Sequence, residues 1–304
     1  MRYIKVSFIL LSIAFSQIQH GGSPLYFLDT QEINFINIDH SNIINKDLHP
    51  MVLQYANEYS VDINVPQLAN KIEDLNETTF YLGIESTSAK ALAFVFDIFK
   101  LTENSKMFIY DADKSMYIGS FNSKNNNPSE TLSTAVVKGD RVVVELTVPN
   151  HELSDLKLHM SVVTHDFIDL MNFHGKRTSD RTDCNDNVAC SSADDWGDQV
   201  DAVVLVSGGG GVCSAAIVNN TAFDLEPYIL YAAHCNGGSS TVYFNFQSNT
   251  CSGNSAGNYN TMSGTQTLAV GSFNNNDYAL IKLNNDIPSS YGAYYAGWNR
   301  STSN

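Results

Sequence analysis

The chain has 304 residues, 43% of them hydrophobic and only 16% charged, with a formal net charge of −15. That length exceeds one ordinary domain, and the apolar fraction is enough to fill real cores. The negative charge excludes a nucleic-acid binder that works by neutralising phosphates, and low charge beside abundant Asn, Ser, Gly and Tyr favours an exported β-rich protein over a helical cytosolic one.

Arg2 and Lys5 precede an apolar run at 6–15, and Ala14-Phe15-Ser16 sets small residues where a signal peptidase reads them. The run falls far short of the ~20 residues that span a bilayer. Residues 1–16 are therefore expected to be a cleaved signal peptide. The protein is then secreted or extracellular, with no membrane span after cleavage, and export permits disulfides.

Residues 17–177 read mostly as strands. The runs 91–99, 107–111, 141–148 and 156–163 are rich in β-branched and aromatic residues. Turn signals such as Asn125-Asn126-Asn127-Pro128 and Lys138-Gly139-Asp140 separate them, which predicts a β-sandwich. A helix is expected only near 51–59 or 67–75. Gly175-Lys176-Arg177 then forms a basic joint that looks open to processing, and every cysteine lies beyond it.

In residues 178–304 the expected strands are 201–206, 212–218, 228–232, 241–246, 265–270 and 278–283, separated by Gly, Asn and Ser. No 3.6-residue period is evident, and the strand density predicts a small antiparallel barrel. About eleven acidic residues face three basic ones here, Arg181, Lys282 and Arg300. That balance reads as solubility outside the cell rather than as selection of a basic partner.

Two residues stand out chemically. His234 ends an apolar strand and is followed by Cys235, and Asp277 heads the apolar run 278–283. An imidazole base whose tautomer is fixed by a carboxylate suits proton transfer from a serine, and His-then-Asp is the chain order of chymotrypsin-type proteases. A bridge from Cys235 to Cys213 would pin the turn that carries His234, worth about 3 kcal/mol by chain entropy.

Other candidates carry less. Gly253-Asn254-Ser255-Ala256-Gly257 matches the nucleophile-elbow pattern, but no helix follows it and Ser255 precedes Asp277. Ser289, Ser290, Ser301 and Ser303 follow Asp277 outside any Gly-x-Ser-Gly. The glycine run after Ser207 lacks the Lys-Ser or Lys-Thr of a phosphate loop and reads as a hairpin. Asp111, Asp113, Asp194, Asp195 and Asp198 lack a calcium-loop signature and read as solvated turns. His165 and His174 show no metal spacing and read as surface residues or residues of the upstream part. No metal site and no cofactor is expected.

Cys213 through Cys235, with its Asn-Asn-Thr turn at 219–221, is similar to the lysyl endopeptidase-like branch of bacterial trypsin-like serine proteases. So are Cys184-Asn-Asp-Asn-Val-Ala-Cys190, Tyr243-Phe-Asn-Phe-Gln-Ser-Asn-Thr-Cys251 and Tyr295-Ala-Gly-Trp-Asn-Arg300, which together cover residues 184–300 in register. Upstream, Phe108-Ile-Tyr110, Lys138-Gly-Asp140 and Val162-Val-Thr-His165 resemble the pro-regions of exported members. The resemblance implies an all-β precursor: a sandwich-like pro-region at 17–177, which packs on the protease domain, then the first antiparallel barrel at 178–304. It implies His234 as general base, Asp277 as its orienting acid, and disulfides Cys213–Cys235 and Cys190–Cys251. Cys184 stays unpaired in this chain, its implied partner lying in a second barrel. The family's Thr-Ala-His-His-Cys is here Tyr231-Ala232-Ala233-His234-Cys235.

The expected function is peptide-bond hydrolysis by a secreted serine endopeptidase, lysine-directed by resemblance, acting on protein or peptide substrates. The nucleophilic serine and most of the second barrel are expected beyond Asn304, which would leave this chain truncated and inactive alone. Exposed Tyr294, Tyr295 and Trp298 would then mark the face of the absent barrel. A different class of reading is a non-enzymatic secreted protein that uses a protease-like barrel for binding or inhibition. A third casts residues 17–177 as chaperone and inhibitor of a protease completed by a longer product.

Overall fold

The computed structural model describes residues 20–44, 48–172, 186–236, 240–252, 256–257 and 259–299. The expected signal peptide, the basic joint, His174, Cys184, Ser255, Ser301 and Ser303 lie outside these residues. Strands dominate, and the fold is all-β.

Strand Arg141–Pro149 shows how alternation builds the first half. Val142, Val144, Leu146 and Val148 point to one side and join the main apolar core, whereas Val143 and Glu145 point to the other. The strand pairs antiparallel with Glu77–Glu85 on one side and Lys106–Asp111 on the other. Tyr117–Phe121, Phe35–Asn37 and Asn70–Glu73 complete this sheet among the described residues. Both its faces are covered. Tyr81, Tyr110 and Val143 pack under Tyr26, Leu28 and Ile33, and the Glu145 carboxylate accepts the backbone N–H groups of Leu25 (2.6 Å) and Tyr26 (3.1 Å). Burial raises the Glu145 carboxyl, and those N–H groups offset only part of the rise.

A second sheet runs Val137–Lys138, Ala91–Lys100, Lys157–Asp166, Ala56–Asn64, with Leu132–Ser133 also on Ala91–Lys100. Phe94, Phe96, Leu158, Met160 and Val163 face Phe80, Leu82, Ile84, Met107 and Ile109 of the first sheet across one core. This is the sandwich arrangement. The helices expected near 51–59 and 67–75 are not formed. Tyr59 pairs with Val163 inside a strand, and Val65–Leu68 makes a single turn, with Asn64 as its N-cap, before strand Asn70–Glu73. His165 is not a surface residue: it sits on the central strand Lys157–Asp166, 8% exposed, with Nδ1 2.8 Å from Ser86 Oγ.

The third sheet curls into a half-barrel. Its order is Asn260–Ser263, Thr241–Phe244, Val203–Gly208, Gly211–Val218, Tyr228–Tyr231, Ala279–Leu283, Thr265–Val270. Val204, Val206, Ile217, Ile229, Val242, Phe244, Ile281 and Leu283 fill its interior. Tyr243, on the opposite side of the same strand, leaves this interior and joins the core of the sandwich with Tyr259. Val212 likewise packs with Tyr55, Ala56, Ala91, Ala93 and Val136. Polar contacts reinforce the junction: Val136 N–H donates to Tyr243 Oη (3.4 Å), and Thr241 Oγ1 donates to the Thr134 carbonyl (3.2 Å). The glycine run turns as a hairpin, with φ of +64° at Gly209 and +79° at Gly210. Among the described residues no helix is long and apolar enough to cross a membrane.

Candidate active site

Two neighbouring strands of the half-barrel position the site. Tyr228–Tyr231 leads into a single 3-10 turn, Ala233–Cys235, that carries His234. Its sheet partner Ala279–Leu283 begins two residues after Asp277, so pairing Tyr231 with Ala279 brings the two functional ends together. Asp277 sits at φ +34°, in a turn where the N–H groups of Asn275, Asn276 and Asp277 all converge on the Ser272 carbonyl. Asp tolerates positive φ better than most residues, and such strain gathers where a side chain must be aimed.

The resulting pair is doubly held. His234 Nδ1 lies 2.8 Å from Asp277 Oδ2, and the His234 backbone N–H donates to Asp277 Oδ1 at 3.1 Å. Partial burial on its own raises the Asp277 carboxyl, but the His234 side-chain and backbone hydrogen bonds outweigh it and hold the carboxyl below its ordinary value. The carboxylate is therefore ionised at neutral pH and accepts from Nδ1–H, which leaves Nε2 as the basic ring atom. This can take a proton from a hydroxyl and hold it as imidazolium. Ser289 and Ser290 lie on a separate 3-10 turn, Ser289–Tyr291.

Cys213 is bonded to Cys235, which ties strand Gly211–Val218 to the turn beside His234. Cys190 is bonded to Cys251 across 61 residues. Cys213, His234 and Cys235 come close enough together to suggest a metal cluster, but two sulfurs joined to each other offer no thiolate ligand. Asp111 is occupied locally, accepting from Ser115 Oγ (2.6 Å) and Met116 N–H (2.6 Å). Tyr294 and Trp298 are exposed, whereas Tyr295 is partly buried against the half-barrel core.

Sequence reasoning missed two aromatic neighbours. The His49 ring lies tilted, 4.8 Å from the His234 ring and 4.1 Å from the Phe273 ring, while Phe273 meets His234 edge-on at 5.8 Å. The available signal was His49-Pro50, a turn opener, but it precedes a segment whose spacing mimics a helix.

Residues 178–304 match the family described as lysyl endopeptidase, C-terminal domain. That match covers less than half of the 304 residues.

Proposed function

We propose that residues 178–304 form the His–Asp half of a secreted serine endopeptidase site, with His234 as general base and Asp277 as its orienting acid. The observation that carries this reading is the two-point clasp of Asp277 on the ring and backbone of His234. That clasp fixes one tautomer and one ring plane, which is what serine activation asks of an imidazole. The family match to this segment supports the same chemistry. Lysine-directed cleavage is the finer part of the proposal, resting on that family's name.

The reading needs a nucleophile, and no Gly-x-Ser-Gly follows Asp277 in the sequence. A serine in Gly-x-Ser-Gly, supplied by further polypeptide, completes it. Residues 17–177 are then the pro-region, 1–16 the export signal, and the 304-residue chain alone is catalytically silent. Two disulfides fit an oxidising compartment.

The test compares the 304-residue chain with the same chain continued by its own downstream coding sequence. A fluorophosphonate probe should label a serine only in the longer product, which should cleave peptides after lysine. In that product Asp277→Asn should lower kcat by about 10⁴-fold, as loss of the orienting acid does elsewhere. Hydrolysis indifferent to both His234→Ala and Asp277→Asn would refute the assignment.

A further inference from the structure

The residues in contact with the His234 ring include one that no catalytic account uses. The His49 carbonyl accepts the Val52 N–H at 2.8 Å, which closes a turn with Pro50 at its second position. Within that turn the Met51 N–H donates to His49 Nδ1 at 3.3 Å, which orients the ring. The turn feeds strand Leu53–Gln54, which adds antiparallel to the half-barrel through Leu53 with Val212 and Gln54 with Gly211. Immediately after, the N–H groups of Tyr55 (2.9 Å) and Ala56 (3.1 Å) both donate to the Gly210 carbonyl.

The close approach is written into Gly211. A Cβ there would lie 2.5 Å from Val52 Cγ1 and 3.5 Å from Leu48 Cδ1, so any larger residue forces Val52 to move. The His234 side chain is only 11% exposed, although it follows the end of its strand. Asp277 occupies Nδ1, while His49 and Phe273 press on the ring. Any group that approaches the ring must share it with His49 and Phe273, whose rings already lie 4.8 Å and 5.8 Å from it.

We propose that residues 48–54 are an intramolecular strap that closes the His234–Asp277 site, with His49 as its cap. The strap pairs with Gly211 and Val212, the stretch of strand Gly211–Val218 beyond its pairing with Tyr228–Tyr231, by strand addition, the mode by which extended peptides bind sheets. A substrate peptide seeking the same stretch would have to displace it. This inference rests on His234 being the general base, since only then does covering it regulate anything.

Access to His234 can be read without any turnover. Diethyl pyrocarbonate acylates an accessible imidazole nitrogen, and peptide mass spectrometry resolves each histidine of the full chain. His159, on strand Lys157–Asp166 and bound on both ring nitrogens by Asp97 (2.6 Å) and Asp62 (2.8 Å), serves as internal reference. If the strap is closed nine-tenths of the time or more, opening it raises reactivity at least about tenfold. His49→Ala, which removes the cap, and Gly211→Ala, which displaces Val52 and leaves His49 intact, should each raise the His234-to-His159 rate ratio by that factor. A ratio unchanged in both variants overturns the strap. Failure of the protease reading would show instead in the hydrolysis assay of the longer product and leave this ratio untouched.

Discussion

Gly210 offers a quantitative test of how the sandwich docks on the half-barrel. Its φ of +79° lies where an L side chain is strained, and an added Cβ would overlap the carbonyl oxygen of Ala56. Gly210→Ala therefore has two costs. The left-handed backbone alone costs about 1–2 kcal/mol. Relieving the overlap must separate the hairpin from residues 55–56, losing the two N–H bonds from Tyr55 and Ala56 at about 0.5–1.5 kcal/mol each. The total is about 2–5 kcal/mol. Gly292 is the control: its φ is +66° and no heavy atom lies within 4 Å of its added Cβ. Gly292→Ala should cost only the backbone share, about 1–2 kcal/mol. Urea denaturation followed by tryptophan fluorescence measures both, because Trp196 and Trp298 belong to the C-terminal part. If the two substitutions cost the same, the Ala56 contact does not bear on stability, and the docking of residues 55–56 against the glycine hairpin is refuted as a source of it.

Replacing Cys213 and Cys235 together by alanine frees a loop of 22 residues' separation and should cost about 3 kcal/mol by chain entropy; a urea midpoint equal to wild type would contradict this. The Asp277 carboxyl is held low in the folded state, so its contribution is complete above the ordinary carboxylate value of about 3.9. It is lost as pH falls from there through the folded value. The stability difference between wild type and Asp277→Asn should thus be flat from neutral pH to about 4 and shrink below it, as acid titration of thermal melts would reveal. Tyr243 is 1% exposed and bridges the half-barrel to the sandwich core, so Tyr243→Ala should cost about 3–5 kcal/mol. The same change should weaken the cooperativity of the two halves in calorimetry, and a single undiminished transition would argue against a shared core.

The strands were readable wherever β-branched and aromatic residues ran together. The expected 91–99, 107–111, 141–148 and 265–270 coincide with Ala91–Lys100, Lys106–Asp111, Arg141–Pro149 and Thr265–Val270 to within a residue at each end. Strand Asn260–Ser263 escaped notice because it is short and polar except for Met262, and only pairing with Thr241–Phe244 makes it a strand. The expectation of a helix at 51–59 failed for a definite reason. Val52, Tyr55, Ala56 and Tyr59 fall at i, i+3, i+4 and i+7, the helical signature. In the fold they serve different surfaces: Val52 packs on Gly211, Tyr55 and Ala56 on Val212, and Tyr59 in the sandwich core.

The candidate site divides the same way. His234 beside Cys235, and Asp277 before an apolar run, could be named from the sequence, because residue type and local pattern are properties of the chain itself. That Asp277 clasps His234 at two points depends on the register of Tyr228–Tyr231 with Ala279–Leu283. The His49 cap depends on a contact across 185 positions of sequence. Local composition determined the strands and the candidate chemistry. Only tertiary packing decided which side chains meet, because contacts between distant segments are selected by the burial and pairing of the whole fold.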